Sequence, residues 1–215
     1  MISQQLRITE IFYSLQGESR TVGLPTVFIR LTGCPLRCNY CDTAYAFTGG
    51  EMLSLATILD QVASYNCRHI TVTGGEPLAQ KNCLTLLSLL ADCDYQVSLE
   101  TSGALDISAV DKRVITVMDL KTPASGEHDK NLYENLPHLD THDQLKFVIT
   151  SEHDYHWAKT MLLEKQLFNR CEVLFSPAAD QLAATQLADW ILQDRLPVRF
   201  QIQLHKILWG NTPGT

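Results

Sequence analysis

Three of the seven cysteines stand close together in the chain. Cys34, Cys38 and Cys41 have the spacing CxxxCxxC and directly follow a run of residues that predicts a strand. Three thiolates on so short a loop would repel one another as free anions, so a shared cation or metal cluster would both neutralise them and fix the backbone. The spacing therefore predicts a metal-binding loop with three protein ligands.

The spacing by itself leaves the kind of metal centre open. A four-iron cluster held by three cysteines keeps one iron open to an outside ligand, whereas zinc would need a fourth protein ligand or a water. Inert buried thiols are a third alternative, because free cysteine is often simply a small core residue. We expect this last role for the four cysteines that form no close pair: Cys67, Cys83, Cys93 and Cys171.

A glycine pair ends the strand predicted over residues 69–73. Gly74, Gly75, Glu76 and Pro77 follow this strand and open a predicted helix. Two glycines let a ligand approach the backbone, and a carboxylate with exposed carbonyls beside it can receive an ammonium group. Most glycine pairs are only turns, but one that follows a three-cysteine loop so closely indicates a ligand site.

Strand alternation gathers polar side chains on one side of the predicted sheet, since residues i and i+2 share a face. Arg30 lies opposite Val27, Ile29 and Leu31 and therefore avoids the apolar face that packs on helices. Two later strands divide in the same way, and their polar faces hold Ser98, Glu100 and Ser102, and Arg199, Gln201, Gln203 and His205. Barrels and open α/β sheets build their sites from polar residues at the carboxyl ends of parallel strands.

Short β-branched runs alternate with helical patterns, as expected of parallel strands joined by crossover helices. The predicted strands lie near residues 6–10, 26–32, 69–73, 95–101, 114–120, 145–150, 172–176 and 198–205. The predicted helices cover about 54–65, 77–90, 154–167 and 180–195. In the last helix Ala183, Leu187, Trp190 and Ile191 recur at three- and four-residue spacing and should pack on the sheet. The pattern is typical of the α/β class.

The composition of the 215 residues agrees with one continuous domain, residues 1–215, with a short C-terminal tail. Hydrophobic residues make up 45%, which is enough for a core. The 24 acidic and 17 basic residues leave a formal charge of −7, which disfavours nucleic acid as a partner, because phosphates attract clustered Lys and Arg. No segment approaches the roughly 18 apolar residues of a membrane span, so we expect no membrane association and a cytoplasmic protein.

The cysteine loop and the glycine turn together resemble the radical S-adenosylmethionine (SAM) superfamily. Further motifs are similar to one of its families, the 7-carboxy-7-deazaguanine synthases of queuosine and 7-deazapurine biosynthesis. They are LQGE at 15–18, FIRL at 28–31, CDT at 41–43, ETSG at 100–103, DLKT at 119–122 and QLHK at 203–206. One departure is Ser19, where many relatives carry glycine. The resemblance implies a partial TIM-like barrel of the radical SAM type, usually a homodimer.

The resemblance also implies roles for the matching residues. The ligands of a [4Fe-4S] cluster would be Cys34, Cys38 and Cys41. The SAM-binding residues would be Tyr40, Asp42, Gly75, Glu76, Ser102, Asp119, Leu120, Lys121 and Ser176. The substrate-binding residues would be Leu15, Gln16, Gly17, Arg30, Thr73 and Pro213, and Thr43 would contact Mg2+.

The implied reaction converts 6-carboxy-5,6,7,8-tetrahydropterin to 7-carboxy-7-deazaguanine with release of ammonia. It begins with an electron from the reduced cluster, expected by family analogy to come from a flavodoxin-type donor, and with removal of a hydrogen atom from C6 of the pterin. The Arg30 guanidinium suits the carboxylate of this substrate, although an ordinary surface salt bridge is the alternative role. Two rival functions are a glycyl-radical-activating enzyme and a zinc-stabilised binding module without catalysis.

Overall fold

The computed structural model describes residues 4–210, 212, 214 and 215, and these residues form nine strands and five α-helices. The strands are β1 (Gln5–Leu15), β2 (Pro25–Leu31), β3 (Glu51–Ser54), β4 (His69–Gly74), β5 (Gln96–Thr101), β6 (Ile115–Asp119), β7 (Gln144–Ile149), β8 (Glu172–Pro177) and β9 (Arg199–Phe200). The α-helices are α1 (Leu55–Ser64), α2 (Cys83–Asp92), α3 (Glu152–Glu164), α4 (Ala184–Asp194) and α5 (Leu204–Trp209). The strands form one sheet in the order β3-β1-β2-β4-β5-β6-β7-β8-β9.

The sheet is parallel except at one edge. β1 pairs antiparallel with β2 and with β3, whereas β2 and the strands from β4 to β9 run parallel. In this parallel part neighbouring strands follow chain order, so right-handed crossovers place the connecting helices on the same face; the connection from β5 to β6 has no helix, and that from β6 to β7 has only 3-10 turns. This is the winding of a TIM-like barrel that does not close. It confirms the predicted fold class.

The core lies between the helices and the sheet face that they cover. Helices bury apolar side chains at three- or four-residue spacing, as with Ile58 and Val62 on α1, Leu86 and Leu90 on α2, and Leu187 and Ile191 on α4. Full burial of one such side chain contributes about 1.5–3 kcal/mol. The apolar face predicted for residues 180–195 is thus confirmed at Leu187, Trp190 and Ile191 but not at Ala183, which is exposed and precedes the helix; the opposite sheet face carries the polar side chains.

The helix predicted over residues 77–90 begins later, at Cys83. Pro77–Ala79 forms only a 3-10 turn, and the chain is extended at Gln80, with φ −103° and ψ 110°. The Gln80 side chain donates to the carbonyls of Arg7 (2.9 Å) and Thr32 (3.0 Å) and accepts from the Arg7 amide (2.8 Å). Since these bonds hold Gln80 against the main chain of the sheet, a continuous helix is excluded there.

The strand predicted over residues 198–205 is wrong over most of its length. β9 ends at Phe200 and α5 begins at Leu204, which puts His205 on a helix. The reason lies at Gln201, whose buried side chain accepts from the Ser19 amide (2.8 Å) and donates to the Ser19 carbonyl (2.8 Å). The Gln201 amide still donates to the Phe175 carbonyl of β8 (3.0 Å), while its side chain holds the chain against the loop at Ser19 before α5 begins.

Two smaller expectations also differ from the structure. The short edge strand β3 was not among the predicted strands. Cys93 is exposed because it caps the carboxyl end of α2, whereas Cys83 and Cys171 are buried as expected and Cys67 is half-buried. In the part of the chain that the structure describes, no helix has the length and apolar character needed to cross a membrane.

Candidate active site

The polar face of the sheet opens into a cavity of about 500 Å³. Most residues predicted for the site line it, namely Leu15, Gln16, Gly17, Arg30, Cys34, Cys38, Tyr40, Cys41, Asp42, Thr43, Thr73, Gly75, Ser102, Asp119 and Lys121. Glu76, Leu120 and Ser176 are buried and do not line the cavity. Pro213 lies outside the described residues. Residues from widely separated parts of the chain therefore meet where the sequence predicts a site.

The three clustered cysteines line the cavity together. Gly33, with φ +98°, turns the chain out of β2 into Cys34, and the Cys41 amide donates to the Cys38 carbonyl (3.1 Å). Burial raises the pKa of the Cys34 thiol and of the Cys38 thiol, and the Cys41 thiol beside them adds to both. These thiols therefore need a neighbouring cation to become thiolates, which a bound metal supplies.

Zinc and a four-iron cluster need different arrangements of the three cysteine thiols. Within the described ranges, no three His, Cys, Asp or Glu side chains converge closely enough to hold one metal ion. Zinc would require such convergence, with each ligand about 2.0–2.3 Å from the ion. A four-iron cluster takes each thiolate on a different iron, so three thiols that line one cavity provide a donor set for such a cluster.

Gly75 brings the glycine turn against the cysteine loop. A Cβ on Gly75 would overlap the Gly33 carbonyl and the Cβ of Cys34, and a Cβ on Gly74 would overlap the main chain of Leu31. The Gly75 amide donates to the Leu31 carbonyl (3.1 Å). Because only glycine fits at this close approach, the turn places bare main chain on the cavity wall beside Cys34.

Glu76 has an internal role that the sequence does not indicate. Its fully buried carboxylate accepts from the Thr101 hydroxyl (3.0 Å), the Leu78 amide (3.0 Å) and the Ser102 amide (2.7 Å). The Ser102 hydroxyl also donates to it. The carboxylate thus ties the glycine turn to the end of β5 and fixes Ser102 at the cavity.

Two buried polar atoms at the cavity have no protein partner among the described residues. They are Tyr40 Oη and Asp119 Oδ1. A buried polar group without a partner costs about 1–3 kcal/mol, so these atoms mark a position where a polar ligand fits. Lys121 contacts both residues, with its Nζ 3.0 Å from Asp119 Oδ2 and 5.8 Å from the centre of the Tyr40 ring. Burial lowers the pKa of Lys121, but the neighbouring Asp119, Tyr40 and Cys38 together raise it by more, so the ammonium stays charged.

A second cluster of polar side chains lies at the cavity and comes from β4, β5 and the loop after β1. Glu100 accepts from the Thr73 hydroxyl (2.8 Å) and from Gln16 Nε2 (3.5 Å), and Gln16 Nε2 also donates to the Thr71 hydroxyl (3.1 Å). Burial, and then the nearby charge of Glu18, raises the pKa of Glu100. This cluster offers a ligand both donors and acceptors on one wall.

Arg30 lines the cavity, as strand alternation predicts. Its Nε donates to Glu10 Oε1 (2.6 Å), and its side chain is 15% exposed. The guanidinium carbon lies 5.6 Å from the ring centre of Phe12 and 5.8 Å from that of Tyr45. Arg30 is therefore held in an ion pair inside the site and not on the outer surface.

A largely buried cation that lines the cavity, Lys146, is not among the residues that the sequence predicts for the site. Lys146 Nζ lies 2.6 Å from Glu18 Oε2 and 3.8 Å from Asp119 Oδ2. Its sequence signal is a lysine between Leu145 and Phe147 in strand β7, at a position where alternation allows it to face the cavity.

The closing QLHK segment also forms part of the site. Gln203 Nε2 donates to Glu18 Oε1 (2.8 Å) and to Asp42 Oδ2 (3.2 Å), and Lys206 Nζ lies 3.2 Å from Asp42 Oδ2. Partial burial raises the pKa of Asp42, but Lys206 and the Thr43 hydroxyl more than offset this and lower it to about 2. The start of α5 is thus attached to the loop that carries the cysteines.

The middle of the chain matches a known protein superfamily. The family described as the radical SAM superfamily matches residues 28–118, which run from β2 to β6 and include the cysteine loop and the glycine turn. The crystal structure of QueE from Escherichia coli has the same fold, with a TM-score of 0.78 at 22% identity, and the similarity covers 94% of this chain and 95% of that one. Fold and site together define a radical SAM protein.

Full-length relatives narrow the class to one family. A 7-carboxy-7-deazaguanine synthase from Chlorobaculum tepidum is 42% identical over 208 residues, which cover 95% of this chain and 94% of the relative. Another, from Koribacter versatilis, is 40% identical over 225 residues, covering 98% and 99%. The chain belongs to the 7-carboxy-7-deazaguanine synthase family. These matches support neither of the two rival functions, a glycyl-radical-activating enzyme and a zinc-stabilised binding module.

Proposed function

We propose that the protein is a lyase that converts 6-carboxy-5,6,7,8-tetrahydropterin to 7-carboxy-7-deazaguanine with release of ammonia, within queuosine and 7-deazapurine biosynthesis. The observation that carries the proposal is a cavity that joins the three-thiol loop to the Arg30 guanidinium. The thiol loop offers a place for one-electron chemistry, and the guanidinium offers a partner for the carboxylate of the substrate. Membership of the synthase family supports the same assignment.

A [4Fe-4S] cluster and SAM are the cofactors that the radical SAM class implies. Cys34, Cys38 and Cys41 would hold the cluster, and together the cofactors supply the one-electron step that removes hydrogen from the substrate. The residues proposed to hold SAM are Tyr40, Asp42, Gly75, Glu76, Ser102, Asp119, Leu120, Lys121 and Ser176. The unpartnered Tyr40 Oη and Asp119 Oδ1 support this assignment, because polar groups of the cofactor would satisfy both.

Three residues of this set would act indirectly or through the main chain. The Glu76 carboxylate already accepts four protein hydrogen bonds, so Glu76 would offer SAM its main chain, next to that of Gly75. Leu120 is fully buried and would also contribute its main chain. For Ser176, the support is its place in β8, two residues before the cavity-lining Ala178.

The substrate would lie at the other end of the cavity. Arg30 would bind its carboxylate, and Leu15, Gln16, Gly17 and Thr73 would line the pterin. The hydrogen-bonding wall formed with Glu100 supports this placement, since a pterin edge presents both donors and acceptors. Pro213 remains a proposed contact outside the described residues.

Mg2+ would bind at Thr43. Thr43 lines the cavity, and its hydroxyl donates to Asp42 Oδ1 (2.8 Å). Mg2+ prefers oxygen ligands and keeps several waters, so a single hydroxyl would suffice if an oxygen of the substrate completes the site. This arrangement would make Mg2+ a bridge between the protein and the substrate.

The wider organisation is also proposed on the resemblance. The protein would be a cytoplasmic homodimer that receives electrons from a flavodoxin-type donor. Its chain would be a single radical SAM domain, residues 1–215, with a short C-terminal tail. The continuous sheet, in which β1 and β9 belong to the same structure, supports the single domain.

An anaerobic product assay tests the proposal. Protein reconstituted with iron and sulfide, then given SAM, dithionite, Mg2+ and the pterin acid, should yield 7-carboxy-7-deazaguanine by mass spectrometry. Cys38→Ala should lose both the cluster absorption and the product, whereas Cys93→Ala, at an exposed cysteine, should keep both. Turnover by Cys38→Ala would refute the cluster assignment, and a full cluster without product would refute the substrate assignment.

A further inference from the structure

Glu10 and Arg30 form an ion pair across two antiparallel strands. Glu10 on β1 lies opposite Arg30 on β2 in the strand register. Glu10 Oε1 accepts from Arg30 Nε (2.6 Å) and from Tyr45 Oη (2.8 Å). The side chains of Glu10 and Arg30 are only 23% and 15% exposed. One carboxylate oxygen therefore binds both the guanidinium and the phenol beside it.

Aromatic rings hold the same guanidinium from its faces. Its carbon lies within 6 Å of the ring centres of Phe12 (5.6 Å) and Tyr45 (5.8 Å), the range of cation–π attraction. Burial raises the pKa of Tyr45 to about 12, so its hydroxyl remains a donor to Glu10 at neutral pH. The bond from Nε to Glu10 and the two aromatic rings thus fix the orientation of the Arg30 guanidinium.

The two terminal nitrogens of Arg30 remain free of hydrogen bonds to the part of the chain that the structure describes. A guanidinium can bind a carboxylate through its two terminal nitrogens or side-on through Nε and one of them. Because Glu10 takes Nε, the side-on mode is closed. The end-on pair is the mode left for a ligand in the cavity.

We propose that Glu10 and Tyr45 are positioning residues that direct the terminal nitrogens of Arg30 toward the carboxylate of the substrate. This inference rests on the proposed function, in which Arg30 binds that carboxylate. It assigns to Glu10 a part in selecting a carboxylated pterin, through orientation and not through direct contact. Since Glu10 also offsets the charge of Arg30, a ligand gains from this site mainly when its carboxylate matches the two terminal donors in geometry.

Equilibrium binding to the SAM-loaded, reconstituted protein tests the proposal, with 6-carboxypterin and unsubstituted pterin as the two probes. Glu10→Ala should weaken binding of 6-carboxypterin by roughly tenfold, the size of one charge-assisted hydrogen bond, and leave pterin binding unchanged. Glu10→Gln should lose about threefold or less, because its amide oxygen can still accept from Nε and from Tyr45. A purely structural role would affect both probes equally.

A double-mutant cycle separates this inference from the proposed function. In an Arg30→Ala background, Glu10→Ala should cause no further loss of 6-carboxypterin affinity, since Glu10 acts only through Arg30. If Arg30→Ala weakens binding and Glu10→Ala does not, the positioning role is refuted while the proposed function stands. If Arg30→Ala leaves 6-carboxypterin affinity unchanged, the substrate role of Arg30 fails, and the inference fails with it.

Tyr45→Leu keeps the test decisive if Glu10→Ala does not fold. Tyr45 is 43% exposed, so its replacement should be tolerated, yet it removes both the hydroxyl that binds Glu10 and the ring beside the guanidinium. We expect roughly threefold to tenfold weaker binding of 6-carboxypterin and none of this loss for pterin. Equal affinities of Tyr45→Leu and the wild type for 6-carboxypterin would overturn the proposal.

Discussion

Lys146 and Glu18 stand 128 residues apart in the sequence, yet Lys146 Nζ lies 2.6 Å from Glu18 Oε2. Both side chains are 15% exposed. The same ammonium lies 3.8 Å from Asp119 Oδ2. Lys146 therefore lies between Glu18, next to the proposed substrate residue Gly17, and Asp119, a proposed cofactor residue. Burial lowers the pKa of Lys146, but the nearby carboxylates of Glu18, Asp119 and Glu100 together raise it by more, which keeps the ammonium charged.

Lys146→Met should therefore destabilise the fold strongly. The change leaves Glu18 without its cation, whereas Asp119 keeps Lys121, and loss of one partner of a buried pair costs about 3–5 kcal/mol. Urea unfolding measures this loss. The matched control is Lys159→Met, which breaks a more exposed pair with Asp194 (2.8 Å) and should cost about 1 kcal/mol or less. Equal losses in the two variants would contradict a central role for Lys146.

Gly17→Ala should disturb the cavity through His205. A Cβ on Gly17 would overlap the imidazole of His205, and the Gly17 carbonyl accepts from the Leu204 amide (2.9 Å) at the start of α5. Overpacking of this kind costs about 1–3 kcal/mol, and the displaced imidazole should raise the KM for the pterin acid. Thermal unfolding and steady-state kinetics measure both effects.

Removal of the imidazole provides the control for this prediction. In the His205→Ala background, Gly17→Ala should lower the free energy of unfolding by less than it does in the wild type, because the overlapping ring is gone. If the second substitution adds its full cost to the first, the overlap with His205 is not the cause.

Thr43→Val should weaken the response to Mg2+. Valine keeps the shape of threonine but removes the hydroxyl that donates to Asp42 in this cavity-lining residue. We expect the Mg2+ concentration for half-maximal activity to rise by roughly tenfold. Thr48→Val, at an exposed threonine a few residues along the same segment, should keep the wild-type titration curve. Superimposable curves for Thr43→Val and the wild type would remove Thr43 from the Mg2+ site.

The parts of the site that the sequence predicts are those encoded by neighbours in the chain. The cysteine spacing and the glycine turn are local motifs, and the facing of Arg30 follows from alternation along one strand. The cavity brings these three features together because parallel strands present their carboxyl ends on one side. Local pattern and sheet geometry therefore predict that these three features line one cavity.

The parts that the sequence does not predict depend on single side chains reaching across the fold. Gln80 ends a helical pattern by bonding to Arg7, 73 residues away, and Gln201 ends a strand pattern by bonding to Ser19, 182 residues away. The pair of Lys146 with Glu18 belongs to the same group. Periodicity reports only the environment of neighbouring positions, so it cannot identify partners of this kind.

His205 should make stability depend on pH in a defined direction. Burial lowers the pKa of His205 below its ordinary 6.5, although Glu18 and Asp42 oppose this effect. The unfolded chain then binds the proton more readily than the folded protein, so the contribution of His205 is complete above pH 6.5 and is lost as pH falls from 6.5 through the folded pKa. We expect the stability difference between the wild type and His205→Gln to shrink between pH 8 and pH 5. Urea unfolding at each pH measures this difference, and a difference that is constant or grows toward acid would show that His205 is not held neutral by burial.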